Sequence, residues 1–268
     1  MRTSEGALPR RRLVRQRQSL RWWGALLTVW LLVWIAMPLA GWTWGDGTFP
    51  LLASLGVLAQ VAVSLVALAQ TWPVWRILRV AAIVLPGAWS VEAVGAATGV
   101  PFGHYDYTDA LWPRLLGVPL LIPLAWLMML PPAWAVATVL KPATTGWRAR
   151  ACYAAISGAA FTAWDFYLDP QMVARGLWMW EQPGGYWGIP WVNFAGWWLV
   201  ATALTWLINP TNLPRRPLLV IYTLVWLFQA VGLGLLWDQP GPALVGLGGM
   251  GVWVLAAWWR EWQAWRGH

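Results

Sequence analysis

Eight apolar runs, each long enough to cross a bilayer, recur between residues 22 and 259, and nothing else in the chain constrains its fold as much. They fall at about 22–40, 50–69, 77–97, 115–140, 151–168, 189–208, 217–236 and 241–259. A helix of about twenty apolar residues matches the hydrocarbon thickness of a membrane. The breaks between runs carry turn residues or charge: "GWTWGDGTFP", "QTWPVWR", "KPATTGWRAR", "NPTNLPRRP" and "WDQPGP". Open strands leave backbone groups unpaired in lipid, and barrel strands would be short and alternating, so helix is the assignment for every run. Only 10% of the 268 residues are charged and 59% are hydrophobic, too little polar surface for a water-soluble domain of this size. The expected fold class is all-α: a polytopic membrane helix bundle of about eight transmembrane helices.

The segment "MRTSEGALPRRRLVRQRQSLR" ends against the first apolar run, which at about nineteen residues is longer than a signal-peptide core and lacks a small-residue cleavage site. The expected organisation is a basic cytoplasmic arm over 1–21, a single transmembrane bundle over 22–259, and a short cytoplasmic tail over 260–268. With the arm inside and every run crossing, sixteen of the eighteen Lys and Arg residues fall on the cytoplasmic side; only Arg114 and Arg175 fall outside. This is the positive-inside pattern, and it places the protein in the cell membrane as a multi-pass protein with both termini cytoplasmic. The net charge of +8 then faces anionic lipid head groups, which removes the support for a nucleic-acid partner. The lone Cys152 can form no internal disulfide and reads as a small helix-core residue.

The acids sort the other way. Asp46, Asp106, Asp109, Asp169, Glu181 and Asp238 fall in outer loops, whereas Glu92 and Asp165 fall inside apolar runs. Glu92, in "LPGAWSVEAVGAATG", stands about five residues short of the outer end of its run, roughly 7–8 Å deep. Asp165, in "FTAWDFYLDP", and Asn193, in "GIPWVNFAGWW", lie at similar depth on the same side. The loop "FGHYDYTD" at 102–109 joins the third and fourth runs there, so it is expected to cap a polar pocket sunk into the outer half of the bundle. An intramembrane carboxylate is expensive and points to function. The competing explanation is a structural one, an acid paired with a nearby Arg or protonated against a carbonyl. Asp169 precedes Pro170 at an expected helix end, so a turn role competes there. Asn193 could bind a neighbouring helix, His104 could be a proton donor or simple surface, and Tyr105 and Tyr107 could be interface anchors.

Trp occurs 28 times, and most of these side chains suit interfacial belts and packing. "GLWMWEQPGGYWG", residues 176–188, is the best candidate for aromatic pocket lining, through Trp178, Trp180 and Tyr186. The fourth run holds Pro119, Pro123, Pro131 and Pro132, which predicts a bent helix. There is no aspartate-rich motif for magnesium diphosphate and no His-rich set for a di-iron centre. The chemistry left is acid–base work without a metal or cofactor, on a substrate reachable from the membrane.

Three blocks resemble the CruF-type carotenoid 1,2-hydratase family: "PFGHYDYTDALWPRLLGVPLLIPLAW", with its FG-x-Y-x-Y loop followed by L-G-V-P and a Trp; "AWDFYLDPQM", a D-x-x-x-D-P element; and "GLWMWEQPGGYWGIPWVNFAGWW". Glu92 precedes them, as an acid does in the family, and Trp187 stands where Tyr is more frequent. The resemblance covers about residues 85–200; the flanks match only in hydropathy. It implies water addition to the terminal isopropylidene double bond of an acyclic carotenoid end, of the lycopene or γ-carotene type or of the bacterioruberin pathway, giving a tertiary alcohol. The partners it implies are membrane lipid, the carotenoid and water, with possible association with other carotenoid-pathway enzymes.

That chemistry suits the residues. Protonating a trisubstituted alkene at C2 needs a strong acid, and water then adds to the tertiary cation at C1. Asp165 or Glu92 is the expected donor, with His104 a further candidate; Asp169 and Asn193 would position water, and Trp178, Trp180 and Tyr186 would shield the cation. Rival classes stay open. A transporter would bury acids too, though usually with internal repeats and paired broken helices. A non-catalytic carotenoid-binding protein would need the apolar groove but not the acids. A cyclase would also begin by protonating an end group.

Overall fold

Eight helices run back and forth across the molecule: α1 (Ala7–Trp44), α2 (Phe49–Leu68), α3 (Val74–Thr98), α4 (Leu121–Leu140), α5 (Gly146–Ala174), α6 (Trp191–Ile208), α7 (Arg215–Val231, continued by a π turn over Gly232–Leu236) and α8 (Pro240–Arg266). The computed structural model describes residues 7–142 and 145–266, with side chains from Arg21 onward. The first six residues of the expected arm and the last two of the expected tail lie outside the described residues. Seven of the helices are long and apolar enough to cross a membrane, so the protein is a polytopic membrane helix bundle. The eighth is α5, which carries Arg148, Arg150, Asp165 and Asp169 and is therefore too polar on average to be recognised as a span. Its 29 residues reach about 44 Å, and it packs between α4, α6 and α8.

The centre of the bundle is α4. It is apolar all round, as a helix surrounded by other helices must be, and nearly all of it is buried against α2, α3, α5, α7 and α8. Pro131 and Pro132 sit in its middle, where each removes a backbone donor and leaves a carbonyl four residues earlier without its helical partner. The carbonyl freed by Pro132 is that of Met128, and the Ser64 hydroxyl of α2 donates to it at 3.0 Å. The same arrangement recurs on α5. Pro170 frees the carbonyl of Phe166, and the Tyr186 hydroxyl donates to it at 2.9 Å. Close helix approach comes from small residues: a side chain at Gly158 of α5 would put its Cβ 2.7 Å from the Trp198 carbonyl of α6.

Two sequence expectations are corrected. The fourth run does not begin as helix at about 115. Arg114–Leu115 (β2) and Val118–Pro119 (β3) form a hairpin, with Leu116 and Gly117 at φ 50° and 82°, and Pro119 lies there instead of in α4. Positive φ at both turn residues suits a tight hairpin and Gly117 meets it without strain. The other correction concerns Asp169–Pro170, which is not a helix end: α5 continues to Ala174 and both residues are buried. A second ribbon pairs Tyr105–Tyr107 (β1) antiparallel with Trp178–Trp180 (β4), Tyr105 opposite Trp180 and Tyr107 opposite Trp178. It ties the α3–α4 and α5–α6 connections together over one end of the bundle.

Candidate functional site

The β1–β4 ribbon decides which side chains enter the bundle. Alternate residues of a strand share a face, so Tyr105, Tyr107, Trp178 and Trp180 turn inward while Asp106 and Met179 stay exposed. Beneath them, Glu92 on α3 is 2% exposed and accepts three hydrogen bonds. Tyr105 Oη and Tyr107 Oη donate to its Oε2 at 2.6 and 2.8 Å, and Trp126 Nε1 of α4 donates to Oε1 at 3.1 Å. Burial, and then the Glu92 charge, push both phenols well above the usual tyrosine range, so they stay protonated and act as donors.

A second carboxyl cluster faces it. Asp165 and Asp169 are four residues apart on α5 and therefore share one face. The Asn193 amide, in the first turn of α6, donates to both, at 3.0 Å to Asp165 Oδ2 and 2.5 Å to Asp169 Oδ2. Trp178 Nε1 donates to Asp169 Oδ1 at 3.1 Å, whereas Asp165 Oδ1 is buried without a partner among the described residues. None of the ion pairs among the described residues involves Glu92, Asp165 or Asp169. Pairing with an Arg therefore does not account for any of the three.

Glu92, Asp169 and Asn193 line one cavity of ≈ 70 Å³, together with Tyr105, Tyr107, Trp178 and Trp180. Asp165 lies one helical turn behind Asp169, reached through Asn193. The rest of the wall is apolar, aliphatic side chains with the rings of Phe102, Trp126, Trp164 and Trp197 among them. Trp126 stacks on Trp197 with centroids 5.0 Å apart, and Phe161 stacks on Trp197 at 5.5 Å. Such a chamber offers acids without a counter-cation beside electron-rich ring faces, which suits proton transfer to an apolar substrate and stabilisation of the cation that results. No group of three or more His, Cys, Asp or Glu side chains among the described residues is arranged to hold a metal ion.

Besides Asp165, two expected site residues are not on this cavity. His104 is exposed, its ring lying over the backbone of Gly99. Tyr186 is buried on the far side of α5, in an aromatic group with Phe166, Trp191 and Phe194, where its hydroxyl serves the carbonyl freed by Pro170. Conversely, Trp126, Trp164 and Trp197 were not legible as lining. Trp126 carried the one usable signal: an indole N–H in an otherwise apolar, central helix needs a buried acceptor.

A family model described as "Carotenoid biosynthesis protein" matches residues 51–253, which include every residue of both carboxyl clusters. A bisanhydrobacterioruberin hydratase from Haloarcula japonica is 35% identical over 114 residues, 41% of this chain and 37% of that protein. The match thus spans little more than a third of that relative's length. No solved structure matches the chain.

Proposed function

The chain belongs to the carotenoid biosynthesis protein family, and from that premise we propose that it adds water to the terminal isopropylidene double bond of an acyclic carotenoid end, of the lycopene or γ-carotene type. The observation that carries the proposal is the pair Asp165–Asp169, bridged by one Asn193 amide and facing the cavity that Glu92 lines from the other side. The hydratase name of the Haloarcula japonica relative supports the same reaction class.

Two carboxylates accepting from one amide, with no cation beside them, cannot both be ionised without a large cost. The pair therefore shares one proton between the two carboxyls, which lie on one face of α5. Asp169 lines the cavity and passes the proton to C2 of the alkene. The electron pair of the double bond forms the new C–H bond and leaves a tertiary cation at C1. Water adds there, and the proton it sheds returns to the carboxyl pair, so the net change is the addition of one water with no redox step. Glu92, held as an acceptor by three donors, faces the cation, and Trp126, Trp164 and Trp197 offer it ring faces.

The charge pattern supports both termini on the cytoplasmic side of the cell membrane, with the arm at 1–21, the bundle at 22–259 and the tail at 260–268, and the site near the outer surface. Membrane lipid is then the solvent of the substrate. Association with other carotenoid-pathway enzymes is the corresponding partner proposal, tested by crosslinking in the membrane followed by co-purification.

The reaction is tested by expressing the chain in a bacterium that accumulates lycopene and analysing pigments by mass spectrometry. The expected result is a more polar pigment heavier by one water, reduced at least about 100-fold by Asp169→Asn. A pigment of unchanged mass with a cyclised end would identify a cyclase instead. Unchanged lycopene and γ-carotene, with the protein present in the membrane, would remove the proposal.

A further inference from the structure

Behind the carboxyl site lies a second cavity of ≈ 70 Å³ between α1, α2, α5 and α7. It shares Ala53, Val57, Met128, Trp164, Leu168 and Met172 with the first, so the two are adjoining compartments with a common wall. Its lining differs from the first in holding three glutamines, Gln60, Gln171 and Gln229, each 5% exposed or less. Burying an amide among apolar side chains is costly unless the amide is hydrogen-bonded. Gln229 Oε1 is buried without a partner among the described residues, and Gln60 Nε2 reaches only the Met129 sulfur at 3.7 Å, a weak acceptor. A polyene satisfies none of these groups. A small donor–acceptor molecule satisfies all of them, and the volume holds a few waters, each of which needs two to four polar partners.

We propose that this glutamine-lined cavity is the water chamber of the reaction: Gln60, Gln171 and Gln229 hold water behind the substrate, and it passes by Leu168 and Met172 to the cation at C1. The three glutamines are positioning residues, and the proposal rests on the hydratase reading. The arrangement separates the two tasks of the site. The acid at Asp169 reaches the alkene from the first cavity, while bulk water stays excluded from the substrate and enters only from the second.

Deuterium oxide separates these steps. A cation formed by deuteron addition at C2 either captures water to give the alcohol, or loses a proton and returns as alkene carrying deuterium. The ratio of alcohol to deuterated alkene reports water capture alone, independent of protein amount. Purified membranes with lycopene are assayed for wild type, Gln229→Met and Gln60→Met. Expected is a ratio lowered about tenfold in each variant, with deuterium incorporation retained. Gly56→Ala narrows the same chamber without touching an amide, its added methyl meeting only Val33 and Met37 at 3.8 and 3.9 Å, and should lower the ratio in the same direction. An unchanged ratio in all three variants, with wild type forming alcohol, overturns the chamber and leaves the hydratase standing. Neither alcohol nor deuterium uptake by wild-type membranes overturns both.

Discussion

At Glu92 the protein gathers three donors from two elements, Tyr105 and Tyr107 of β1 and the indole of Trp126 on α4, around one buried carboxyl. A hydrogen bond to a charged group is worth about 1.5–3 kcal/mol, and about 1.4 kcal/mol is a factor of ten. Tyr105→Phe or Tyr107→Phe should therefore lower conversion about 10- to 100-fold if Glu92 acts on the cation as a carboxylate, and Glu92→Gln should lower it further. His104→Ala, whose side chain is exposed and off the cavity, should stay within about twofold of wild type. Pigment conversion in membranes of equal protein content checks all four. Equal losses at His104 and Tyr107 would place the reacting atoms outside the cavity. Glu92, Asp165 and Asn193 stood out in the sequence because a polar side chain in an apolar run has no routine explanation. Trp126 did not, because one functional indole is hidden among 28 tryptophans until its acceptor is known.

Single elements are shaped by partners far away in sequence. Pro132 stays inside α4 because Ser64, 64 residues from Met128, serves the freed carbonyl, and Pro170 stays inside α5 because Tyr186 serves Phe166. Ser64→Ala and Tyr186→Phe should each destabilise the bundle by about 1–3 kcal/mol, the cost of leaving a buried acceptor unmade. Tyr186→Phe should change conversion far less than Tyr107→Phe, since its hydroxyl lies away from the cavity. Thermal unfolding in detergent, read beside pigment conversion, checks both statements; a catalytic loss at Tyr186 without a stability loss would assign that hydroxyl to substrate. The same long-range bonds explain what hydropathy misjudged. Asp169–Pro170 has the local signature of a helix end, and only the distant Tyr186 hydroxyl shows why α5 runs through it. The run at 115–120 is as apolar as a span, yet Gly117 and the pairing of β2 with β3 turn it into a hairpin. Helix number and order were legible because a bilayer imposes them. Helix ends were not, because they depend on tertiary hydrogen bonds.

On the scale of the whole molecule, the two ends of the bundle differ in chemistry. Both carboxyl clusters, the β1–β4 ribbon and the Arg175–Asp46 ion pair (3.2 Å) lie at the end where α3 meets α4 and α5 meets α6. At the opposite end stand Arg76, Lys141, Arg148, Arg150, Arg215 and Arg216, the last two within 3.3 and 3.5 Å of Glu261. Anionic lipid and the insertion machinery favour that basic end on the cytoplasmic side. The site would then lie in the outer half of the membrane, and the hydroxylated end of the product would emerge toward the outer head groups. Site-directed labelling decides it. With Cys152→Ser as background, a cysteine introduced by Asp106→Cys in the exposed loop should react with a membrane-impermeant maleimide in intact cells. One introduced by Arg148→Cys should react only after the membrane is opened. The reverse pattern would turn the molecule over and leave the site geometry untouched, but the alcohol would then be delivered to the inner leaflet, and the positive charges would need a cause other than topology. Labelling of both positions in intact cells would break the alternation of spans, and α5, too polar to be recognised as a span by composition alone, would be the first helix to re-examine.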